Sequence, residues 1–414
     1  MDTQTPKPSQ APEPDFPLRL LALLMVMTSI GPLTLNILIP AVPNIVVTMA
    51  TDPATVQLTL SLYLLGLAVS QLALGPLSDR FGRRPVALVG LAITALASVA
   101  ALAASTIGGL ITARVVQALG ASTGLVIGRA VIRDLYDRDR AASMIGWVAT
   151  AMVVAPMIAP LIGGILDTAF GWEATFAFVA LMSAAVLIWT FFALPETRPA
   201  HVGGGGVRHL AHETRALLGS GPFVGYVLVA AIGTATFFAF LGGGPHLVIS
   251  IMGRSSAEYG AWFIMSAFGY MVGNFVAAQL SPRFGVDAMI RAGVGFQIFG
   301  GVLSILLAVL FPHGGPETVF PPQFFLSFGN GVFLPNAIAG AISVRPQAAG
   351  TASGLIGFTQ MGTGAAAAQA MGIVIEHSST AQPLAWTMLV LAVGAMLAFV
   401  LLVRPQRPPD PPQS

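Results

Sequence analysis

The feature that most constrains this chain is a short charged link between two long apolar runs. The link reads Gly75-Pro76-Leu77-Ser78-Asp79-Arg80-Phe81-Gly82-Arg83-Arg84-Pro85 and gathers Asp79, Arg80, Arg83 and Arg84. Residues 55–74 before it and 86–104 after it carry no charge. An apolar helix needs about 20 residues to cross roughly 30 Å of hydrocarbon. Two such runs joined so tightly read as neighbouring antiparallel spans, with the link at one membrane face. The rest of the chain follows suit. It is 55% hydrophobic and only 9% charged, with a mean hydropathy of +0.81, whereas a soluble domain is about 25% charged. The chain therefore reads as an all-α polytopic membrane protein with little soluble mass. The net charge of +2 is spread over short links, which argues against a nucleic-acid-binding face. With no cysteine there is no disulfide framework and no thiolate metal site.

Polar punctuation predicts twelve transmembrane helices, at 18–48, 55–77, 85–104, 107–132, 141–166, 173–194, 223–245, 258–280, 287–311, 320–343, 349–376 and 383–403. Residues 1–17 and 405–414 read as polar, Pro-rich, disordered tails with no signal-peptide cleavage site. The predicted domains are an N-terminal six-helix bundle at 18–197 and a C-terminal one at 222–404. Between them, 198–221 reads as a solvated linker, flexible around Gly203 to Gly206 and carrying His201, His209 and His212. The links on the termini side hold every Lys and Arg except Arg254, which lies opposite, and Arg114, which falls within a span. That asymmetry predicts cytoplasmic termini. An internal repeat supports the two halves. Leu77-Ser78-Asp79-Arg80-Phe81-Gly82 recurs as Leu280-Ser281-Pro282-Arg283-Phe284-Gly285, each at the same end of the second helix of its half.

The charged link resembles motif A of the major facilitator superfamily. Leu110 to Gly120, with Arg114 and Gln117, resembles motif B, and Ala159-Pro160-Leu161-Ile162-Gly163-Gly164 resembles motif C of its antiporters, with Ala159 in place of a glycine. Arg129-Ala130-Val131-Ile132-Arg133-Asp134-Leu135-Tyr136, Gly171-Trp172-Glu173-Ala174-Thr175-Phe176 and Leu194-Pro195-Glu196-Thr197 are similar to the Bcr/CflA branch of drug:proton antiporters. The resemblance implies a major facilitator fold and a monomeric multidrug exporter of the bacterial inner membrane, working by alternating access. Its partners would be a small-molecule substrate, protons and the bilayer, with no nucleic acid, cofactor or metal. It assigns Gly75, Asp79, Arg80, Gly82, Arg83 and Arg84 to a cytoplasmic gate, and Pro160, Gly163 and Gly164 to a helix 5 pivot. On physical grounds Gly75 and Gly82 would permit a tight reversal and close helix approach. Asp79 would accept from an arginine or a helix N-terminus. Arg80, Arg83 and Arg84 would hold the loop at an anionic leaflet. Trp172 reads as an interface anchor.

Arg114 lies about two turns into a span, where an arginine costs about 2.5–3.5 kcal/mol on insertion scales. It is expected to face a wet cavity, with Gln117 beside it. The branch carries an Asp in helix 1, but Asn36 occupies that position here. No Asp or Glu lies well inside a predicted span. An amide carries no proton at accessible pH. Three readings stay open: an anionic or polar substrate on Arg114 with coupling through a helix-end carboxylate, an uncoupled facilitator, or a substituted position at Asn36. Tyr63, Gln71, Asn274, Gln297, Asn330, Asn336 and Gln360 are further polar residues within spans, with Asn36, Tyr63 and Gln360 foremost as cavity candidates. Phe237, Phe238, Phe240 and Met361 could supply an apolar wall. A non-transporting receptor is the alternative outside transport. An enzyme is a poor fit, since no span holds paired carboxylates.

Overall fold

The computed structural model describes residues 18–136, 138–197, 207–345 and 348–403. The predicted tails and residues 198–206, including His201, lie outside the described residues, as do the side chains of His209 and His212.

The described elements are helical. The first span is α1 (Leu18–Asn36) followed, after a tight turn at Ile39–Ala41, by α2 (Val42–Thr48). Then come α3 (Pro53–Phe81), α4 (Arg83–Leu102), α5 (Ile107–Ala121) continuing as α6 (Thr123–Leu135), α7 (Arg138–Phe170) and α8 (Glu173–Ala193). The second half holds α10 (Gly221–Pro245), running on through His246–Ile251, and α11 (Ser256–Phe284), α12 (Val286–Leu310), α13 (Phe320–Ser343), α14 (Ala349–Glu376) and α15 (Gln382–Leu402). Among the described residues ten spans are long and apolar enough to cross a membrane. With α7, of 33 residues, and α14, of 28, they make the twelve expected crossings.

The first span breaks for a chemical reason. Pro40 and Pro43 lack the amides that would donate to the carbonyls of Asn36 and Ile39. The chain tightens instead, with the Ala41 amide donating to Leu38 O at 2.9 Å.

The halves repeat in detail. α3 and α11 are both 29 residues long and both are capped at the N-terminus, by Asp52 and by Ser255. Both end on a glycine with positive φ, Gly82 at +100° and Gly285 at +79°. Such a φ is open to glycine at no steric cost. The reversal in motif A therefore rests on Gly82. Gly75 does not share the role expected of it: it sits inside α3, and a Cβ there would meet nothing within 4 Å.

Two further expectations change. The linker is not wholly irregular, because α9 (Val207–Leu218) forms within it. Its Leu217 is buried with Phe223, Ala341 and Ile356. Trp172 is no interface anchor. It is buried beside Phe176, Leu38 and Ile45, its ring edge-on to Phe176 at 6.0 Å. In the second half, Phe238 and Phe240 belong to the packed core, where Phe240 lies 5.8 Å from Phe320 and 6.3 Å from Phe263.

Candidate functional site: a buried arginine and two ends of the bundle

Arg114 sits on the buried face of α5 and is 1% exposed. Three helices supply its partners. Nη1 donates to the Thr34 carbonyl of α1 at 3.1 Å and to Gln117 Oε1 at 2.6 Å, and Nε donates to the Thr59 carbonyl of α3 at 3.3 Å. The guanidinium carbon lies 4.1 Å from the centroid of the Tyr63 ring. Thr59 and Tyr63 are four apart on α3 and so share a face. Tyr63 OH donates to Gly31 O at 3.2 Å, tying α3 to α1. Gln117 Nε2 passes the chain of bonds to Ser98 Oγ on α4 at 2.7 Å, and Ser98 donates to Thr94 O.

Among the described residues no carboxylate pairs with Arg114. Its charge is held by carbonyl dipoles and a ring face, the means left when no acid is near. The expected wet cavity is not where Arg114 lies: the side chain is enclosed within the N-terminal half. Its Nη2 has no protein partner. Asn36 is also buried, and its Nδ2 donates to Pro32 O of its own helix at 2.7 Å, leaving Oδ1 without a partner.

The other cavity candidates lie apart from this cluster. Asn274 and Asn336 donate to carbonyls four residues back, Tyr270 O and Val332 O. That is how an amide is satisfied locally inside an apolar bundle. Gln360 joins α14 to α10 through Thr234 Oγ1 at 3.0 Å. Gln297 is buried with neither amide atom partnered.

At the Arg-rich end, motif A closes into a knot of charge. Arg83 is turned inward, 6% exposed, and so is not held at a leaflet surface as expected. Its guanidinium pairs with Asp79 and with Asp134 of α6, the latter at 2.9 Å, and donates to Ser78 Oγ at 2.6 Å. Asp79 thus has an arginine partner within its own half. The N-terminus of α4 goes to another acid. Glu196 accepts from the Arg83 and Arg84 amides at 2.8 and 3.2 Å. An anion at a helix N-terminus satisfies orphan amides and the helix dipole together. Gly82 is needed here twice, since a Cβ would lie 2.5 Å from Glu196 Oε2. Arg84 donates to Phe191 O at 2.6 Å, while Arg80 is exposed and lies over the Phe81 ring at 5.3 Å. Sequence reasoning noted Asp134 and Glu196 only as parts of short patterns. Their joint role depends on contacts 51 and 113 residues apart.

At the opposite end the halves meet through α7 and α11. A Cβ on Gly163 would overlap Ile37 O in the turn that follows α1, and one on Gly164 would overlap Ser256 O of α11. One on Gly260 would lie 2.5 Å from Pro160 O. Of the three residues expected as a pivot, Gly163 stands at a backbone contact within a half, and Pro160 and Gly164 stand at backbone contacts between halves.

A sequence profile of the Major Facilitator Superfamily matches residues 24–369. The chain belongs to that superfamily. Multidrug resistance protein D of Escherichia coli (strain K12) is 32% identical over 82% of this chain and 85% of its own length. A bicyclomycin resistance protein homolog of Haemophilus influenzae is 28% identical over 92% of this chain and 94% of its own. These relatives agree with the Bcr/CflA resemblance. The fold is also that of the crystal structure of a D-xylose-proton symporter, with a TM-score of 0.74 at 12% identity over 92% of this chain and 97% of that one.

As a major facilitator the protein is a multi-pass membrane transporter and not an enzyme. In that fold, six spans lie to either side of α9 and form the two halves. Arg114 belongs wholly to the first of them. The contacts of α7 with α11 lie between the two.

Proposed function

We propose that this transporter exports small drug-like molecules across the bacterial inner membrane by alternating access, driven by protons and acting as a monomer. The termini and the Arg-rich links lie in the cytoplasm. The relatives, which are bicyclomycin and multidrug resistance proteins, support the substrate class, and the Lys and Arg asymmetry supports the orientation. The observation that carries the reading is Arg114. The guanidinium is held at three points and enclosed in this state, and its unpartnered Nη2 is the donor that a polar or anionic group of the solute would take up in the state where the site opens.

A second reading, uncoupled movement of an anionic or polar solute, rests on Asn36. The position holds an amide, and the Arg114 cluster contains no carboxylate. The two readings separate in proteoliposomes. Export that rises with an imposed proton gradient supports antiport, and flux indifferent to that gradient leaves the uncoupled reading. A susceptibility panel in an efflux-deficient host tests the site itself. Arg114→Ala should abolish whatever resistance the wild type confers, and unchanged resistance would remove Arg114 from the transport site.

A further inference from the structure

Asp167 is the one Asp or Glu that is buried among the described residues, 4% exposed. It lies in the last turn of α7, one residue beyond the predicted span. Its two oxygens are divided between the halves. Oδ1 accepts from Asn44 Nδ2 of α2 at 3.0 Å, and Oδ2 accepts from Ser256 Oγ of α11 at 2.6 Å. The next residue repeats the link, with Thr168 Oγ1 accepting from the Ala257 amide at 3.2 Å. Ser256 and Ala257 open α11, so the carboxylate stands at the N-terminus of a 29-residue helix belonging to the other half. A negative charge is stabilised there by the free amides and by the dipole.

The surroundings bring the groups together. Gly164 and Gly260 let the backbones of α7 and α11 touch one turn away, which holds Ser256 within reach of Asp167. Among the described residues, the other hydrogen bonds between the halves lie toward this same end. Ser61 Oγ of α3 donates to Gln369 Oε1 of α14 at 2.9 Å, and Gln369 Nε2 donates to Ala54 O at 2.9 Å.

We propose that Asp167 is the lock of the gate at this end. Asn44 orients the carboxylate from its own half, and Ser256 with the start of α11 receives it from the other. Closing the end makes the bonds to Ser256 and Ala257, and opening it breaks them. Asn44 remains bonded in both states, because α2 and α7 move as parts of one half. The inference rests on alternating access but on no particular substrate or coupling ion.

The test measures the distance between halves without any substrate, so an error in the proposed cargo does not touch it. The chain has no cysteine, so labels are placed without a background. Phe170→Cys on the first half and His313→Cys on the second are exposed positions at this end, and spin labels on them report its opening by pulsed electron resonance. Ser256→Ala removes the crossing bond alone, and Asp167→Asn keeps the shape while removing the charge. Each is expected to raise the ratio of open to closed population about tenfold, as loss of one charge-assisted hydrogen bond would. Asp167→Asn combined with Ser256→Ala should open little further than either alone. If Asp167→Asn fails to fold, Ser256→Ala carries the test by itself. Unchanged distance distributions in Ser256→Ala, or strictly additive opening in the double variant, would overturn the proposal. A merely structural Asp167 would lower the melting temperature and leave the distances where they were.

Discussion

Replacing Arg114 by lysine separates what the charge does from what the shape does. The guanidinium makes three hydrogen bonds from two nitrogens, to α1, to α3 and to Gln117. A lysine ammonium keeps the charge but ends in a single nitrogen, so it cannot span carbonyls on two helices in the same fork. Two of the three bonds are lost. Hydrogen bonds to a charged group contribute about 1.5–3 kcal/mol each, which gives a gross loss of about 3–6 kcal/mol. Relaxation of the flexible lysine recovers part of it, and a net destabilisation of about 2–3 kcal/mol is expected. At about 2–4 °C per kcal/mol for a body of this size, the melting temperature in nanodiscs should fall by roughly 4–12 °C. Arg114→Gln, which removes the charge but can bond one carbonyl, should melt close to Arg114→Lys and lose export entirely. Arg114→Lys should retain partial export. A lysine variant melting within about 2 °C of wild type would refute the claim that these carbonyl bonds join α1, α3 and α5. A glutamine variant exporting at the wild-type rate would show that the charge is not used.

Three further outcomes follow from the geometry. Gly163→Ala strains a contact inside one half and Gly164→Ala a contact between halves, each by about 1–3 kcal/mol of overpacking. The first should lower thermal stability without changing the spin-label distances across the Asp167 end, and the second should open that end. Similar behaviour of the two would contradict the assignment. Glu196→Ala should cost about 0.5–2 kcal/mol by uncapping α4, with faster amide exchange confined to the first turn after Gly82. Asp52, outside the spans, is held below the ordinary Asp value of 3.8 by bonds from the Thr55 hydroxyl and amide. Its contribution to the first turn of α3 is therefore complete above 3.8 and is lost as pH falls through the lower folded value. Protection of the Thr55 amide, its exchange relative to the intrinsic rate at each pH, should fall only under such acid conditions, and in Asp52→Asn that protection should be flat with pH.

The sequence was informative where one short-range cause decides the outcome. Span lengths, the reversal at Gly82 and its twin at Gly285, and the isolation of Arg114 from acids all depend on residue type and spacing. The structure departs where the partner is distant. Gly75 looked equivalent to Gly82, yet a Cβ there would meet nothing within 4 Å. Trp172 sits near a helix start, where tryptophan often meets the interface, but the break at Pro40 turns Leu38 and Ile45 onto it. The cap of α4 comes from Glu196, 113 residues beyond Arg83. Asp167 lies one residue beyond the predicted span, where spacing gives it no distinction. Only the approach of α11 encloses it, and that approach depends on Gly164 and Gly260. The linker is expected to be irregular from its glycines at 203–206, whereas Val207–Leu218, with Leu210 and Leu217 a heptad apart, is helical.

The joint between α7 and α11 is made of main chain. Where Gly164 meets Ser256 and Gly260 meets Pro160, no side chain stands between the helices. Ordinary interfaces resist sliding because side chains must leave one set of rotamers and find another, each long one accounting for up to about 2 kcal/mol of conformational entropy. Along this line there are no rotamers to reset. The contact is therefore a bearing of backbone on backbone, stiff against compression because backbones cannot interpenetrate, and slack along its length. A bearing of that kind stores no energy of its own, so the moment of release is set by the few polar bonds beside it. Any side chain introduced on its track would act as a detent.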